Sequence, residues 1–275
     1  MRPSEWIQIV FASGIGVLAW IQPLEIGRRL RITLLAIIVP VTILNARFAL
    51  HGFAGSVVRD WLPTALLLIP YWQAGQFFTG PDERIQEWLA RSDKKVLQLI
   101  GQFKRMIGSS ENRGWARYFE TAYLMCYPLV PIGLSALYLG HHRAAADFYW
   151  IVVVLASDIC FAITTFVPAM PPRLVPERTE NFKIVASHVR KLNLEILNRG
   201  SIHAITFPSA HVGSTTAVAL VLVRFLPVTG AIFLVIAASI AIGAFLGRYH
   251  YFLDVALGII EATVVFLACL MVFRA

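Results

Sequence analysis

The chain has 275 residues, of which 57% are hydrophobic and 15% are Asp, Glu, Lys or Arg, and its formal net charge is +8. In soluble domains, roughly a quarter of all residues are charged. This composition and the mean hydropathy of +0.68 exclude a disordered chain and most soluble enzymes of this length, and indicate an integral, multi-pass membrane protein. The excess of positive charge then favours loops that face anionic headgroups, or a phosphate-bearing substrate, over nucleic acid.

Eight apolar runs approach the roughly 20 residues that a helix needs to cross the hydrocarbon core. They cover residues 5–22, 31–50, 62–79, 118–139, 147–169, 211–227, 229–247 and 251–273. The last five are strongly apolar, whereas prolines and polar residues interrupt the first three. We therefore predict an all-α, polytopic membrane helix bundle with about eight transmembrane helices.

Two polar segments between these runs have the periodicity of amphipathic helices. In residues 80–117 and 170–210, apolar residues recur at intervals of three and four. We predict interfacial amphipathic helices in both segments. Ordinary surface helices packed on the bundle are the alternative.

The distribution of charge predicts an orientation. With eight spans both termini lie on one side, and 18 of the 24 Lys and Arg residues then fall on the other side. Because cytoplasmic loops are enriched in Lys and Arg, this count places the more basic side in the cytoplasm. We expect the membrane to be a plasma or inner membrane.

Two polar clusters follow the fifth run. The first is a Pro-Pro-Arg corner that projects the guanidinium of Arg173, which suits a phosphate. The second contains Ser209, Ala210 and His211 at the start of the next run, where a capped helix N-terminus offers N–H groups to an anion and His211 can donate a proton. A headgroup contact and a simple helix cap are the structural alternatives.

A third cluster precedes the last run. His250 and Asp254 are four residues apart and so share one face of a helix. The carboxylate can hold the imidazole in one tautomer and leave its other nitrogen nucleophilic, while Arg248 adds positive charge nearby. A structural His–Asp pair is one alternative. A zinc site is another, but His-x-x-x-Asp supplies only two ligands, and we predict neither a metal nor another cofactor.

The first two clusters lie at the two ends of the loop 170–210, and the third lies in the next loop on the same side. The topology therefore places all three clusters at one face of the membrane. A nucleophile, a proton donor and fixed positive charge are what phosphoryl transfer requires.

The residues Pro-Pro-Arg, Pro-Ser-x-His and Arg-x-His-x-x-x-Asp, in this order, resemble the type 2 phosphatidic acid phosphatase superfamily, over roughly residues 150–275. The resemblance implies that His250 is a nucleophile that forms a phosphohistidine and that Asp254 is its partner. It also implies that His211 is the general acid, that Ser209 holds phosphoryl oxygens and that no metal is required. The family's six-helix core would occupy 61–275, with 1–60 as additional N-terminal transmembrane helices.

The chain departs from the family pattern at several positions. The family's first motif ends in Arg-Pro. Here we assign Arg173 to the position of that arginine, with Arg178 as a second candidate. The arginine six residues before the nucleophile is Ala244 here, and Arg248 lies two before it instead; Ala210 replaces a usual glycine. This motif style is closest to the branch that contains the inositol phosphorylceramide synthases.

We therefore expect a metal-independent membrane lipid phosphatase that acts on a lipid phosphate or a polyprenyl (di)phosphate. Its partners would be a membrane lipid substrate and the bilayer, without nucleic acid; the sequence indicates no oligomeric state. The catalytic and phosphate-binding residues would be His250, His211, Asp254, Arg173, Ser209, Arg248 and Ala210, with Arg178 and Glu261 as further candidates. The alternatives are a phosphotransferase that moves a phospho-headgroup between lipids, and an anion or lipid transporter. The resemblance implies an exoplasmic site, whereas the charge count implies a cytoplasmic one.

Overall fold

A computed structural model describes residues 1–107, 113–175, 187–202 and 204–273, without the side chains of 100–107 and 113. Within these ranges the chain forms twelve α-helices and no strand. They are α1 (Pro3–Ile21), α2 (Ile26–Ala49), α3 (Gly52–Leu66), α4 (Leu68–Gly75), α5 (Glu83–Ile107), α6 (Arg113–Leu124), α7 (Leu129–Leu139), α8 (Ala146–Thr164), α9 (His188–Gly200), α10 (Ala210–Phe225), α11 (Pro227–Leu246) and α12 (Phe252–Phe273).

The polytopic helical bundle predicted from the sequence is confirmed. Among the described residues, six helical segments are long and apolar enough to cross a membrane. They are Pro3–Ile21, Ile26–Ala49, Gly52–Gly75, Arg143–Thr164, Pro227–Leu246 and Phe252–Phe273. The other two predicted runs are different: one is a helix pair, α6 and α7, bent by 71°, and the other is α10, an apolar helix of only 16 residues.

Proline explains two interruptions that hydropathy does not show. The third span consists of α3 and α4, which separate at Leu67, three residues before Pro70. The α6–α7 pair separates just before Leu129, and Pro128 stands at that boundary. A proline supplies no N–H to the preceding turn and its ring crowds the carbonyl four residues earlier, so a helix breaks or kinks there.

Helix α8 is the central helix of the bundle. It packs against α1, α10 and α12, and apolar residues on all its sides are buried, among them Val152, Val153 and Val154, which are fully inaccessible. A helix that is apolar all round is buried in a core. The two ends of α8 therefore mark the two ends of the bundle.

A polar network closes the end of the bundle where α8 begins. The Asp60 carboxylate on α3 accepts hydrogen bonds from Arg2 Nη1 at 2.5 Å, from Arg143 Nε at 2.9 Å and from the Tyr138 hydroxyl. Trp150 Nε1 donates to the Asp60 carbonyl oxygen at 2.5 Å. The bonds from Tyr138, Arg143 and Trp150 cross the predicted boundary between 1–60 and 61–275, which stays a prediction.

The two predicted amphipathic segments contain helices, α5 and α9. The first part of the second pattern, in residues 176–186, lies outside the described residues. Both helices flank the opposite end of the bundle, where α8 ends and the polar clusters lie. Their position relative to a membrane surface stays a prediction.

Candidate active site

Backbone hydrogen bonds join the three polar clusters into one site. Arg173 N donates to the Arg248 carbonyl oxygen at 3.0 Å, which connects the first cluster to the third. Ser209 N donates to the Asp254 carbonyl oxygen at 2.9 Å, which connects the second to the third. The expected meeting of the clusters at one end of the bundle is therefore what the structure shows.

A glycine permits the close approach of the second and third clusters. A Cβ atom built on Gly258 of α12 would lie 2.7 Å from the Ser209 carbonyl oxygen and 3.4 Å from the Gly213 backbone nitrogen. Real Cβ atoms do not approach a carbonyl oxygen so closely. The absence of a side chain at Gly258 thus lets the start of α10 lie directly against α12.

His250 and Asp254 form a hydrogen-bonded pair, but the predicted shared helix face is wrong, because α12 begins only at Phe252. His250 lies in the loop between α11 and α12, and its Nδ1 is 2.8 Å from Asp254 Oδ2 on the first turn of α12. The other carboxylate oxygen accepts from Val255 N at 3.0 Å, and Asp254 is fully buried. With Nδ1 engaged, Nε2 is the nitrogen of His250 that remains for chemistry.

His211 lies beside His250, as the second residue of α10. The centroids of the two imidazole rings are 5.7 Å apart and their planes are inclined by 62°. Tyr127, in the break between α6 and α7, contacts His211 with its ring edge at a centroid distance of 5.6 Å. Among the described residues, His211 Nδ1 is buried without a hydrogen-bond partner, so this imidazole is not held by a carboxylate as His250 is.

Both histidines and Arg173 line one pocket. Aromatic side chains line it as well: Tyr71, Tyr123 and Tyr249. Among the described residues, Arg173 forms one side-chain hydrogen bond, a long one of 3.4 Å from Nη1 to the Tyr249 carbonyl oxygen. The guanidinium therefore offers most of its donors to the pocket.

Burial and charge set the protonation of two pocket groups. Burial lowers the pKa of the Arg173 guanidinium from its ordinary value, but a guanidinium stays protonated throughout the physiological range. Burial, and secondarily the positive charge of Arg173, lower the pKa of His250 well below its ordinary value. His250 is consequently neutral at neutral pH, the form in which an imidazole nitrogen can act as a nucleophile.

Ser209 and Ala210 lie behind the pocket and do not line it. Ser209 is fully buried and caps α10, since its Oγ accepts from Val212 N at 3.4 Å. Ala210 N donates to Thr206 Oγ1 at 3.3 Å. Two N–H groups of the predicted anion site are thus bonded within the protein, and the phosphate-binding roles of Ser209 and Ala210 stay predictions.

The remaining candidates occupy different positions. Arg248 is 2% exposed and does not line the pocket; its Nη1 donates to Asp93 Oδ2 of α5 at 2.6 Å. Glu261 lies deeper in α12, where its Oε2 accepts from Cys160 Sγ at 3.7 Å. Arg178 lies outside the described residues.

Sequence reasoning did not single out two buried carboxylates that hold the His250 loop, residues 247–251 between α11 and α12. Asp93 on α5 binds Arg248, and Glu120 on α6 accepts from the hydroxyl of Tyr249 at 2.6 Å. A signal for Asp93 was present, because Leu89, Asp93 and Val96 are spaced as one helix face. A charged residue on an apolar stripe indicates a buried partner.

No group of three or more His, Cys, Asp or Glu side chains in the described part of the chain is arranged to hold a metal ion. The polar groups of the pocket are imidazole, guanidinium, phenol and hydroxyl groups. They suit the binding of an anion rather than the ligation of a cation.

The fold is that of a polytopic helical membrane protein, and its pocket is lined by two histidines and one arginine. A family model described as the PAP2 superfamily matches residues 88–268. The chain belongs to this superfamily, whose members include phosphatase-type enzymes, and the resemblance noted from the motifs is confirmed. Neither a curated protein nor a solved structure matches the chain significantly.

Proposed function

We propose that this protein is a membrane lipid phosphatase that removes phosphate from a lipid phosphate or a polyprenyl (di)phosphate through a phosphohistidine at His250. The observation that supports this most is the arrangement in one pocket of a carboxylate-held neutral imidazole, a second imidazole and a guanidinium. Each group supplies one element that phosphoryl transfer needs.

In the first step, Nε2 of His250 attacks phosphorus and the bond between phosphorus and the lipid oxygen breaks. Asp254 stabilises the positive charge that develops on the imidazole, through the bond to Nδ1. Burial and the neighbouring His250 and Arg173 lower the pKa of His211, so this imidazole takes up a proton when the anionic substrate binds and then donates it to the leaving lipid oxygen. Arg173 binds the phosphoryl oxygens and stabilises the negative charge of the transition state.

In the second step, water attacks the phosphohistidine on phosphorus. The now neutral His211 accepts a proton from the water, the bond between phosphorus and His250 Nε2 breaks, and inorganic phosphate leaves. His250 returns to its neutral form, and His211, protonated by the water, releases its proton when phosphate leaves. The two histidines therefore have opposite protonation states in the substrate complex, although both are neutral in the free protein.

One observation favours a phosphotransferase as a second candidate. In the free protein, Arg173 is the only cationic side chain among the described residues that line the pocket. One guanidinium balances the single charge of a phosphodiester, whereas a phosphate monoester carries about −1.5 to −2 at neutral pH. In this version the hydroxyl of a second lipid replaces water in the second step.

The test is phosphate release by the purified protein in detergent, with a chelator present. The panel contains phosphatidate, lysophosphatidate, sphingosine phosphate and polyprenyl mono- and diphosphates. His250→Ala is the inactive control, and His188→Ala, at an exposed position on α9, is its matched control. We expect release that survives the chelator, disappears in His250→Ala and persists in His188→Ala.

The other outcomes separate the alternatives. Transfer of a headgroup to added ceramide or diacylglycerol without free phosphate would replace the phosphatase with the phosphotransferase. Transport of an anion or lipid that His250→Ala leaves intact, with no phosphoenzyme trapped on alkaline quench, would contradict both and support a transporter.

A further inference from the structure

The buried face of α5 carries polar residues where an interfacial helix normally has apolar ones. Gln86, Leu89 and Asp93 are buried on this face, with Asp93 1% exposed and Leu89 inaccessible. Glu87, on the same helix, is exposed. A buried carboxylate loses its hydration, so it persists only where partners replace the lost hydrogen bonds.

The two carboxylate oxygens of Asp93 bind the two ends of the His250 loop, at Arg248 and at Phe252. Oδ2 accepts from Arg248 Nη1 at 2.6 Å, and Oδ1 accepts from Phe252 N at 2.7 Å. His250 lies midway between these two residues. Phe252 begins α12, so Asp93 satisfies one of the N–H groups that a helix start leaves without a partner in its own helix.

The backbone of the loop needs such support. Arg248 has φ +60°, in the left-handed region that costs a non-glycine residue free energy. A residue keeps this conformation only where its surroundings hold it. Here the carboxylate of Asp93 holds the side chain of Arg248, while Arg173 N holds its carbonyl oxygen at 3.0 Å.

A second residue of the same helix face supports the same loop. Gln86 Nε2 donates to the hydroxyl of Tyr251 at 2.6 Å and to the carbonyl oxygen of Met170 at 3.2 Å. Arg248, Tyr251 and Phe252 are thus all bonded to α5. The helix contacts the residues on both sides of His250 without reaching the pocket itself.

We propose that Asp93 is a positioning residue for the nucleophile: by holding Arg248 and Phe252, it fixes His250 against Asp254 and in line with the pocket. This inference rests on the proposed function, in which His250 is the nucleophile. It also assigns Arg248 to the support of the loop instead of to the phosphate. Asp93 lies outside the three motif clusters of the sequence.

The test compares Asp93→Asn and Asp93→Ala with Glu87→Gln, a matched loss of charge on the exposed face of α5. Asparagine keeps an acceptor for Phe252 N but removes the charge opposite Arg248. Since small misplacements of a reacting group cost up to about 100-fold in rate, we expect Asp93→Asn to lower kcat at least about 10-fold. KM should change less than about 3-fold, because Asp93 does not line the pocket. Glu87→Gln should match the parent protein.

A second readout does not depend on turnover. Diethyl pyrocarbonate modifies accessible imidazole nitrogens, and peptide mass spectrometry measures the rate at His250 relative to the exposed His188. Loss of Asp93 should open the loop and raise the relative rate at His250 at least about 3-fold. If the parent protein has no phosphatase or transferase activity, the proposed function fails, and this rate still tests whether Asp93 positions His250.

Three results would overturn the proposal. The first is an unchanged kcat together with an unchanged rate of His250 modification in Asp93→Asn. The second is a lower melting temperature with kcat and the modification rate unchanged, which indicates a purely structural role. The third is a rise in KM at constant kcat, which indicates a role in binding substrate. If either single variant does not fold, the double variant Asp93→Asn with Arg248→Gln removes both buried charges, and it should fold while keeping the low kcat.

Discussion

The phenol ring of Tyr249 lies flat on that of Tyr123, with the ring centroids 3.9 Å apart and the planes inclined by 3°. Tyr123 belongs to α6, and Tyr249 immediately precedes His250. The same turn of α6 carries Glu120, which accepts from the Tyr249 hydroxyl at 2.6 Å. The His250 loop is therefore bonded to α6 as well as to α5.

Glu120 also binds α9, so its removal should destabilise the protein. Arg190 Nη1 donates to Glu120 at 2.6 Å, and Asn193 Nδ2 does so at 2.9 Å. Glu120→Gln leaves the buried Arg190 without its counter-charge, and breaking a buried pair costs about 3 kcal/mol or more. Thermal unfolding in detergent measures the loss. Glu195→Gln, in the exposed pair with Arg199, is the control and should cost less than about 1 kcal/mol; equal effects would contradict the prediction.

A methyl group at Gly258 should separate the two histidines. The Cβ of Gly258→Ala would lie 2.7 Å from the Ser209 carbonyl oxygen, so the start of α10, with His211, must move away from α12. Overpacking of this kind costs about 1–3 kcal/mol, and we expect at least about a 10-fold loss of kcat. At Gly14 of α1 a Cβ would meet no described atom within 4 Å. Gly14→Ala should therefore leave activity and stability nearly unchanged, and a normal rate in Gly258→Ala would contradict the proposed contact.

The pH dependence should reflect a nucleophile that stays neutral in acid. Burial and Arg173 lower the pKa of His250, so the acid limb that His250 contributes to kcat/KM should lie below pH ~6.5, the ordinary value. Arg173→Met removes one of these two causes and should move that limb to higher pH. A pH–rate profile of both proteins checks this; a shift in the opposite direction would contradict it.

The same pKa shift predicts how stability depends on pH. Because the pKa of His250 is lower in the folded protein than in the unfolded chain, the unfolded state binds more protons between the two values. Stability from this group should be fully present above pH ~6.5 and should decrease as the pH falls below it. In His250→Gln this part of the decrease should vanish, which denaturation at pH 5 and pH 7 measures.

The polar network around Asp60 should affect stability and leave catalysis unchanged. Trp150, which binds Asp60, is about 20 Å along α8 from Thr164, and Thr164 Oγ1 accepts from Phe207 N beside the site at 2.9 Å. Asp60→Asn leaves Arg2 and Arg143 without their counter-charge and should lower the melting temperature. Turnover per folded molecule should stay within about twofold, because the pocket is not touched; a large fall in kcat at unchanged stability would contradict this separation.

Local spacing was enough to predict the helices and the contact of His250 with Asp254, although His250 precedes α12 and does not share a helix face with Asp254. Loop order was enough to bring His211 and Arg173 to the same end of the bundle. Hydropathy found the spans, but averaging over a window hides the break between α6 and α7.

The partners of charged residues were harder to predict, because they are far apart in the sequence. Arg248 and Asp93 are separated by 155 positions and Tyr249 and Glu120 by 129. From the sequence, Arg248 is a cation next to a histidine, which favours phosphate binding. Its counter-charge is Asp93 on α5, and the two residues come together only when α5 packs against this loop in the folded protein.

The pocket wall formed by Tyr71 has a consequence for the smallest working form of this protein. Tyr71 belongs to α4, before the residues 88–268 that match the family. Its hydroxyl accepts from Ile202 N at 3.1 Å, and Gly75, one turn later, lies so close that a Cβ there would be 2.2 Å from the Ile202 side chain. A fragment cut to the family signature would lack this side of the pocket. The minimal catalytic unit therefore includes α4, and a truncation series should lose function before it reaches the signature.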